Sequence, residues 1–476
     1  MATINNLSTG FQSNSLVTYG APAASANAKV TATTDISGFD ATRIKAMSVA
    51  EVAALTTDQV SSISTAAMSG LTAGQVGVLT TASVAALTDQ QVGALDNTQL
   101  GALKVGQVGA LTSSQINAMT TTQMTALSVT QVASLNVSRI KDIDGTHLGA
   151  LNSQQIQALT TAQAKSLTTA QASSLLAAQV AALTTADLSA MSTASVASLT
   201  TTQLRSLNSD QIVSLTSAQV QNLTTAQVAA LNTSQVASME TLDVSSLTTD
   251  QVQALTTAQV RVMDTSQIKA LTSVQVGKLT TAQLATLNAA QAAALDTVDV
   301  AQLGTDQVRA LSTAAVAGLT TTQVNKLSTD QVKSLLTSQV GALTSAEVTA
   351  LTTAQLATLS SDQMAALKGT QVVGFETADL ASLSSDQINA MNTAAFSALT
   401  TSQVARLTTN QVANLASAQA ASLTSDQLVA LTTAQVAQLS STAAAALNAA
   451  QLGSIEVADL AKLSTTAISS IVTSAI

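Results

Sequence analysis

Leu223-Thr224-Thr225-Ala226-Gln227-Val228-Ala229-Ala230 is one copy of an eight-residue unit that fills nearly the whole chain. Outward from it in both directions, every eighth residue from Phe39 to Ile471 is Leu, Ile, Met or Phe, with no insertion or deletion. Five residues after each of these stands a second apolar column, running from Ile44 to Ile476 and built mainly of Val. Its only small members are Ala164, Ala172, Ala292, Ala420 and Ala444. Strict phasing of this kind marks a repeat architecture in which each unit buries its apolar face against neighbouring units. The reading assigns residues 39–476 to one continuous array and residues 1–38 to a non-repeat arm or leader.

A single long helix cannot satisfy this period. Eight residues at about 100° each leave the apolar column roughly 80° further round at every repeat. Short helices fit. The residue after each Leu is usually Ser, Thr, Asp or Asn, the set that caps helix N-termini. Three residues further on, Gln stands at 37 of 55 sites, completing a Ser/Thr-x-x-Gln capping box. Leu and Val then fall at the two ends of a hydrophobic staple, as with Leu55 and Val60 around Thr56 and Gln59. The fold expected is an all-α solenoid of short capped helices, one per octad, with two or three octads per coil. The competing fold is a β-solenoid, which Val and Thr would suit. Against it, the five-residue separation puts Leu and Val on opposite faces of any strand. Within the capping box, the Thr is expected to matter more than the Gln. An octad alone buries too little to offset its ordering entropy, so stability must come from stacking.

Composition excludes most chemistry. The chain has 476 residues, no Cys, no Trp, one His and one Pro, and only 9% charged residues. No nucleophile–base pair can be named, and neither a catalytic residue, a cofactor nor a resident metal is expected. A net charge of −9 without a basic stripe argues against nucleic acid. Apolar runs are broken by Ser, Thr and Gln well short of a membrane span. The densest charge cluster, Arg139, Lys141, Asp142, Asp144 and His147, displaces Gln at two consecutive sites. It is read as a solvated face where the repeat drifted. Asp58, Asp250, Asp330, Asp362 and Asp426 fall in first helical turns, where they complement the helix dipole.

The Leu-Thr-Thr-Ala-Gln-Val array resembles the low-complexity repeat regions of bacterial secreted and cell-surface proteins of adhesin-like or filament-like type. Leu-Thr-x-x-Gln-Val is also similar to the start of transcription-activator-like effector repeats, but eight residues cannot hold their base-reading loop and this chain is acidic. The first resemblance implies an extracellular or cell-surface location, with export that does not use a cleaved N-terminal signal peptide. The function expected is structural: a self-assembling rod forming a filament, layer or matrix. The alternatives are an adhesin or interaction scaffold presenting Thr, Ser and Gln to cell-surface glycans or other surface proteins, and ice binding. The partner expected first is a second copy, joined head to tail. Phe39, Ile44 and Met47 would form one assembly end, and Leu463, Ile468, Ile471 and Ile476 the other.

Overall fold

A computed structural model describes residues 29–474. Among these it has 54 helices and no strand, and nearly all the helices are four to six residues long. The expected α-solenoid of short helices is therefore the fold, and the β-solenoid is not. The chain divides into two compact units, one through Leu183 and one from Thr184.

Each octad folds for reasons visible in its own residues. Thr88 has extended backbone (φ −71°, ψ 158°) and its hydroxyl accepts the N–H of Gln91. The Gln91 side chain accepts the N–H of Thr88 in return, at 2.7 Å. The helix Asp89–Gly93 follows, and Val92 N–H closes its first turn on Thr88 C=O. At Leu95 the chain turns out of the helix, its N–H bonding the Val92 carbonyl at 3.2 Å. Asp96 then starts the next helix in the same way. The corner thus combines the end of one helix with the cap of its successor, which is why eight residues suffice.

In the first unit, helix Thr57–Ser62 packs on Thr81–Ala86, and that helix packs on Val105–Ala110. In the second, Thr225–Ala230 packs on Thr249–Ala254, which packs on Ser273–Val276. Contacts recur three helices apart throughout each unit, so a coil holds three octads, or 24 residues. Both apolar columns point inward. Val92, Val108 and Leu100 are fully buried in the first unit, as are Val252, Val332 and Leu356 in the second. Leu residues at the corners are nearly so. Small residues let adjacent coils approach closely. A β-carbon at Gly318 would overlap the backbone of Ala289, one coil back and a few residues offset.

The octad spacing reaches further back than Phe39. Ile36, eight residues before Ile44, is 1% exposed, and Phe39 N–H bonds Ile36 C=O as Met47 N–H bonds Ile44 C=O at the next corner. Residues 29–38 therefore pack against the first unit as turns instead of forming a free leader. The earlier part of the expected leader, residues 1–28, lies outside the described residues.

Candidate functional site: the glutamine ladder between coils

The recurring polar feature of the interior is a column of buried Gln side chains at the third helical position. Gln91 is 1% exposed. Its Oε1 accepts the Thr88 N–H, and its Nε2 donates into the preceding coil, to Val60 C=O at 2.9 Å and Ile63 C=O at 2.6 Å. Gln331 in the second unit repeats the pattern, accepting from Ser328 N–H and donating to Val300 C=O at 2.9 Å and Leu303 C=O at 2.7 Å. The partners lie 31 and 28 residues earlier. The first is the helix-end carbonyl, which also accepts the N–H of its own corner residue, and the second is the corner carbonyl, which has no donor within its own helix. One primary amide therefore closes two gaps: the open N–H at the start of its own helix and the open carbonyl of a corner one coil away. An apolar side chain at this depth would leave both unsatisfied.

Departures from Gln show what the position requires. Ala395 cannot reach back, and its cap residue Asn392 does so instead, donating through Nδ2 to Leu367 C=O at 2.7 Å. At Ala315, the cap hydroxyl of Ser312 donates to Leu287 C=O at 3.3 Å. Asp243 and Asp379 are too short to bridge, and each accepts a hydroxyl from the preceding coil, Ser217 and Thr353 respectively, both at 2.7 Å.

Of the charge cluster around residue 140, Lys141, Asp142 and Asp144 are exposed, but Arg139 and His147 turn inward instead of forming a solvated face. Arg139 occupies a ladder position and donates through Nη1 to the carbonyls of Ala110 (2.8 Å) and Leu111. His147 occupies the next. It is 8% exposed, with Nδ1 2.6 Å from Asp144 Oδ1 and Nε2 2.7 Å from Met119 C=O. Met119 and Leu111 each stand 28 residues before their partner, so both side chains supply the donor half of the Gln role. Sequence reasoning marked these positions as lost Gln but missed that the replacements keep the donor. A basic or imidazole donor at the Gln position was the available signal.

On the N-terminal side, residues 29–38 meet the same column. Gln59 Nε2 donates to Thr31 C=O and Thr34 C=O, both at 2.8 Å. Glu51, an acceptor, instead takes the Val30 N–H at 3.0 Å while its other oxygen takes the Ser48 N–H at 2.8 Å. The bonds from Ser48 and Val30 hold the Glu51 carboxyl down at a pKa of about 2.

The residues expected at assembly ends fall in different settings. Phe39 is 8% exposed beneath the Arg43 guanidinium, which lies 4.2 Å from the ring centre. Ile44 is fully buried and Met47 nearly so. None of the three presents an open apolar end. Leu463 is buried, Ile471 half-buried and Ile468 43% exposed. Ile476 lies outside the described residues.

Among the described residues, no group of three His, Cys, Asp or Glu could hold a metal ion, and no helix is long and apolar enough to cross a membrane. Stretches 180–217, 236–273, 244–281, 300–337, 335–369 and 372–409 match the model of the ALTTAQ repeat family. The chain is a repeat protein. Its own Ala158-Leu159-Thr160-Thr161-Ala162-Gln163 is that hexapeptide, and it spans the corner Leu, the cap Thr and the ladder Gln. A comparison with curated proteins gives no match.

Proposed function

We propose that this repeat protein is a non-catalytic structural element whose copies stack end to end into an extracellular or cell-surface filament, layer or matrix. The observation that carries this reading is the state of the last described coil. The second apolar column is buried through nearly all of each unit, but Leu452 and Leu460 are half-buried and Ile468 is 43% exposed. These side chains offer what each earlier coil offers to the coil that follows it. A second copy has the matching face on its opposite end, beneath residues 29–38. The joint then requires those residues to yield their bonds to Glu51 and Gln59. Contact between two different surfaces propagates as an open polymer unless its rotation closes a ring. Sedimentation and electron microscopy of the full-length protein test the reading. Polymers should lengthen with concentration and shorten in Leu460→Asp/Ile468→Asp. A protein that stays monomeric at high concentration overturns it.

A further inference from the structure

The ladder position needs a hydrogen-bond donor directed at the preceding coil. Gln and Arg donate at any ordinary pH. Asp occupants such as Asp243 and Asp379 are too short to bridge and Glu51 faces an N–H, whereas His147 in the first unit and Glu347 in the second are long enough to reach the preceding coil and donate fully only when protonated. His147 lies between two groups that only accept, the Asp144 carboxylate (2.6 Å) and the Met119 carbonyl (2.7 Å). Both bonds form together only if both ring nitrogens carry hydrogen. Glu347 is 3% exposed and its carboxyl accepts the N–H of Thr344 at one oxygen. In the ladder register, the carbonyls that a donor at this position reaches are those of Val316 and Leu319, 31 and 28 residues back. The neighbouring Gln339 and Gln355 fill the equivalent places with N–H donors at 2.6–3.1 Å. An ionised carboxylate there meets acceptors only, whereas a neutral carboxyl donates its O–H.

We propose that His147 and Glu347 make coil-to-coil cohesion proton-dependent, each unit tightening as the medium turns acidic and loosening as it turns alkaline. The two groups act in the same direction, because each completes its ladder bond by holding a proton. The environment of each supports this. The helices packed against Gly145–Ala150 are Thr121–Ala126 and Thr169–Ser174, and neither carries a charged residue. The charges nearest His147 in sequence are Asp144, Asp142, Lys141 and Arg139. Around Ser345–Thr349 the packed helices are Thr321–Lys326 and Gly369–Val372, whose charges are Lys326 and the cap residue Lys368. Neither forms an ion pair with Glu347 among the described residues. Burial pushes the Glu347 carboxyl up, against the opposing bonds from Thr344.

The test uses the full chain, with Gln as the substitution because it is the residue the ladder uses elsewhere. Thermal unfolding is followed at pH 5 and pH 8 for the natural protein, His147→Gln, Glu347→Gln and the double variant. The expected result is a fall in the unfolding midpoint from pH 5 to pH 8 that is largest in the natural protein, smaller in each single variant and smallest in the double. Because His147 is the only histidine, ¹⁵N-histidine labelling yields one imidazole signal. At pH 5 it should show hydrogen on both nitrogens, as simultaneous bonds to Asp144 and Met119 require. Equal pH dependence in the natural and double-variant proteins, or a ring with a single N–H at pH 5, overturns the proposal.

Discussion

Thr224 and Gln227 hold the same helix end, yet the structure ranks them opposite to the expectation from the capping box alone. Thr224 Oγ1 accepts one bond, from Gln227 N–H at 3.2 Å. Gln227 accepts from Thr224 N–H at 2.7 Å and donates to Ala197 C=O at 3.0 Å and Leu199 C=O at 2.6 Å, while 3% exposed. Thr224→Ala should therefore cost about 0.5–2 kcal/mol, the usual loss of a cap. Gln227→Ala frees the Thr224 N–H and leaves the buried Leu199 carbonyl without its donor, the latter alone at about 1–3 kcal/mol. Denaturant unfolding of the two variants should place Gln227→Ala as the more damaged. A larger loss in Thr224→Ala would mean that the ladder bond adds little.

At the scale of the element, the helix start survives loss of its cap side chain because the ladder residue supplies half the box. Lys104 and Leu336 offer no cap oxygen, yet their N–H groups still bond Gln107 and Gln339 at 2.6 and 2.8 Å. The orphaned N–H of each Gln turns to the carbonyl three residues back instead, at 2.9 Å in both helices. Where Val472 stands at the cap position, helix Thr465–Ser474 runs through the place of the corner and reaches ten residues. The segment 29–38 is held by the same element logic, with Glu51 as its acceptor. The folded carboxyl sits below its ordinary value of 4.5, near 2. Its contribution is therefore complete above pH 4.5 and is lost as the pH falls through 2. Hydrogen exchange at Val30 should be slow at neutral pH and accelerate in that acid window. In Glu51→Gln the acid step should vanish.

For the whole molecule, the three-octad coil sets a minimum size. The ladder bonds span 28 and 31 residues, so a fragment of three octads makes none of them. Such a fragment should be disordered, while one of about twenty octads should be helical by circular dichroism, stability growing with repeat number as nearest-neighbour contacts accumulate. Deleting residues 248–271, one full coil, should leave the second unit helical and cooperative, because every later side chain keeps its face and its register. A melted array after that deletion would show that the second unit depends on contacts beyond neighbouring coils.

The sequence by itself determined the helix, its cap and its period. Those depend on residues within one octad: Thr56 and Gln59 bond each other, and Leu55 and Val60 flank them. Local bonds of this kind leave a repeating mark that needs no knowledge of the fold. The number of octads per coil did not leave such a mark, because every octad is nearly the same and two or three per coil bury the same columns. Only tertiary packing chose three, and with it the partners of the Gln amide 28 and 31 residues away. For the same reason Arg139 and His147 looked like drifted surface until their donors were seen on Leu111 and Met119. The sequence shows which residue has replaced Gln, but the carbonyl it must satisfy comes into reach only when the coils stack.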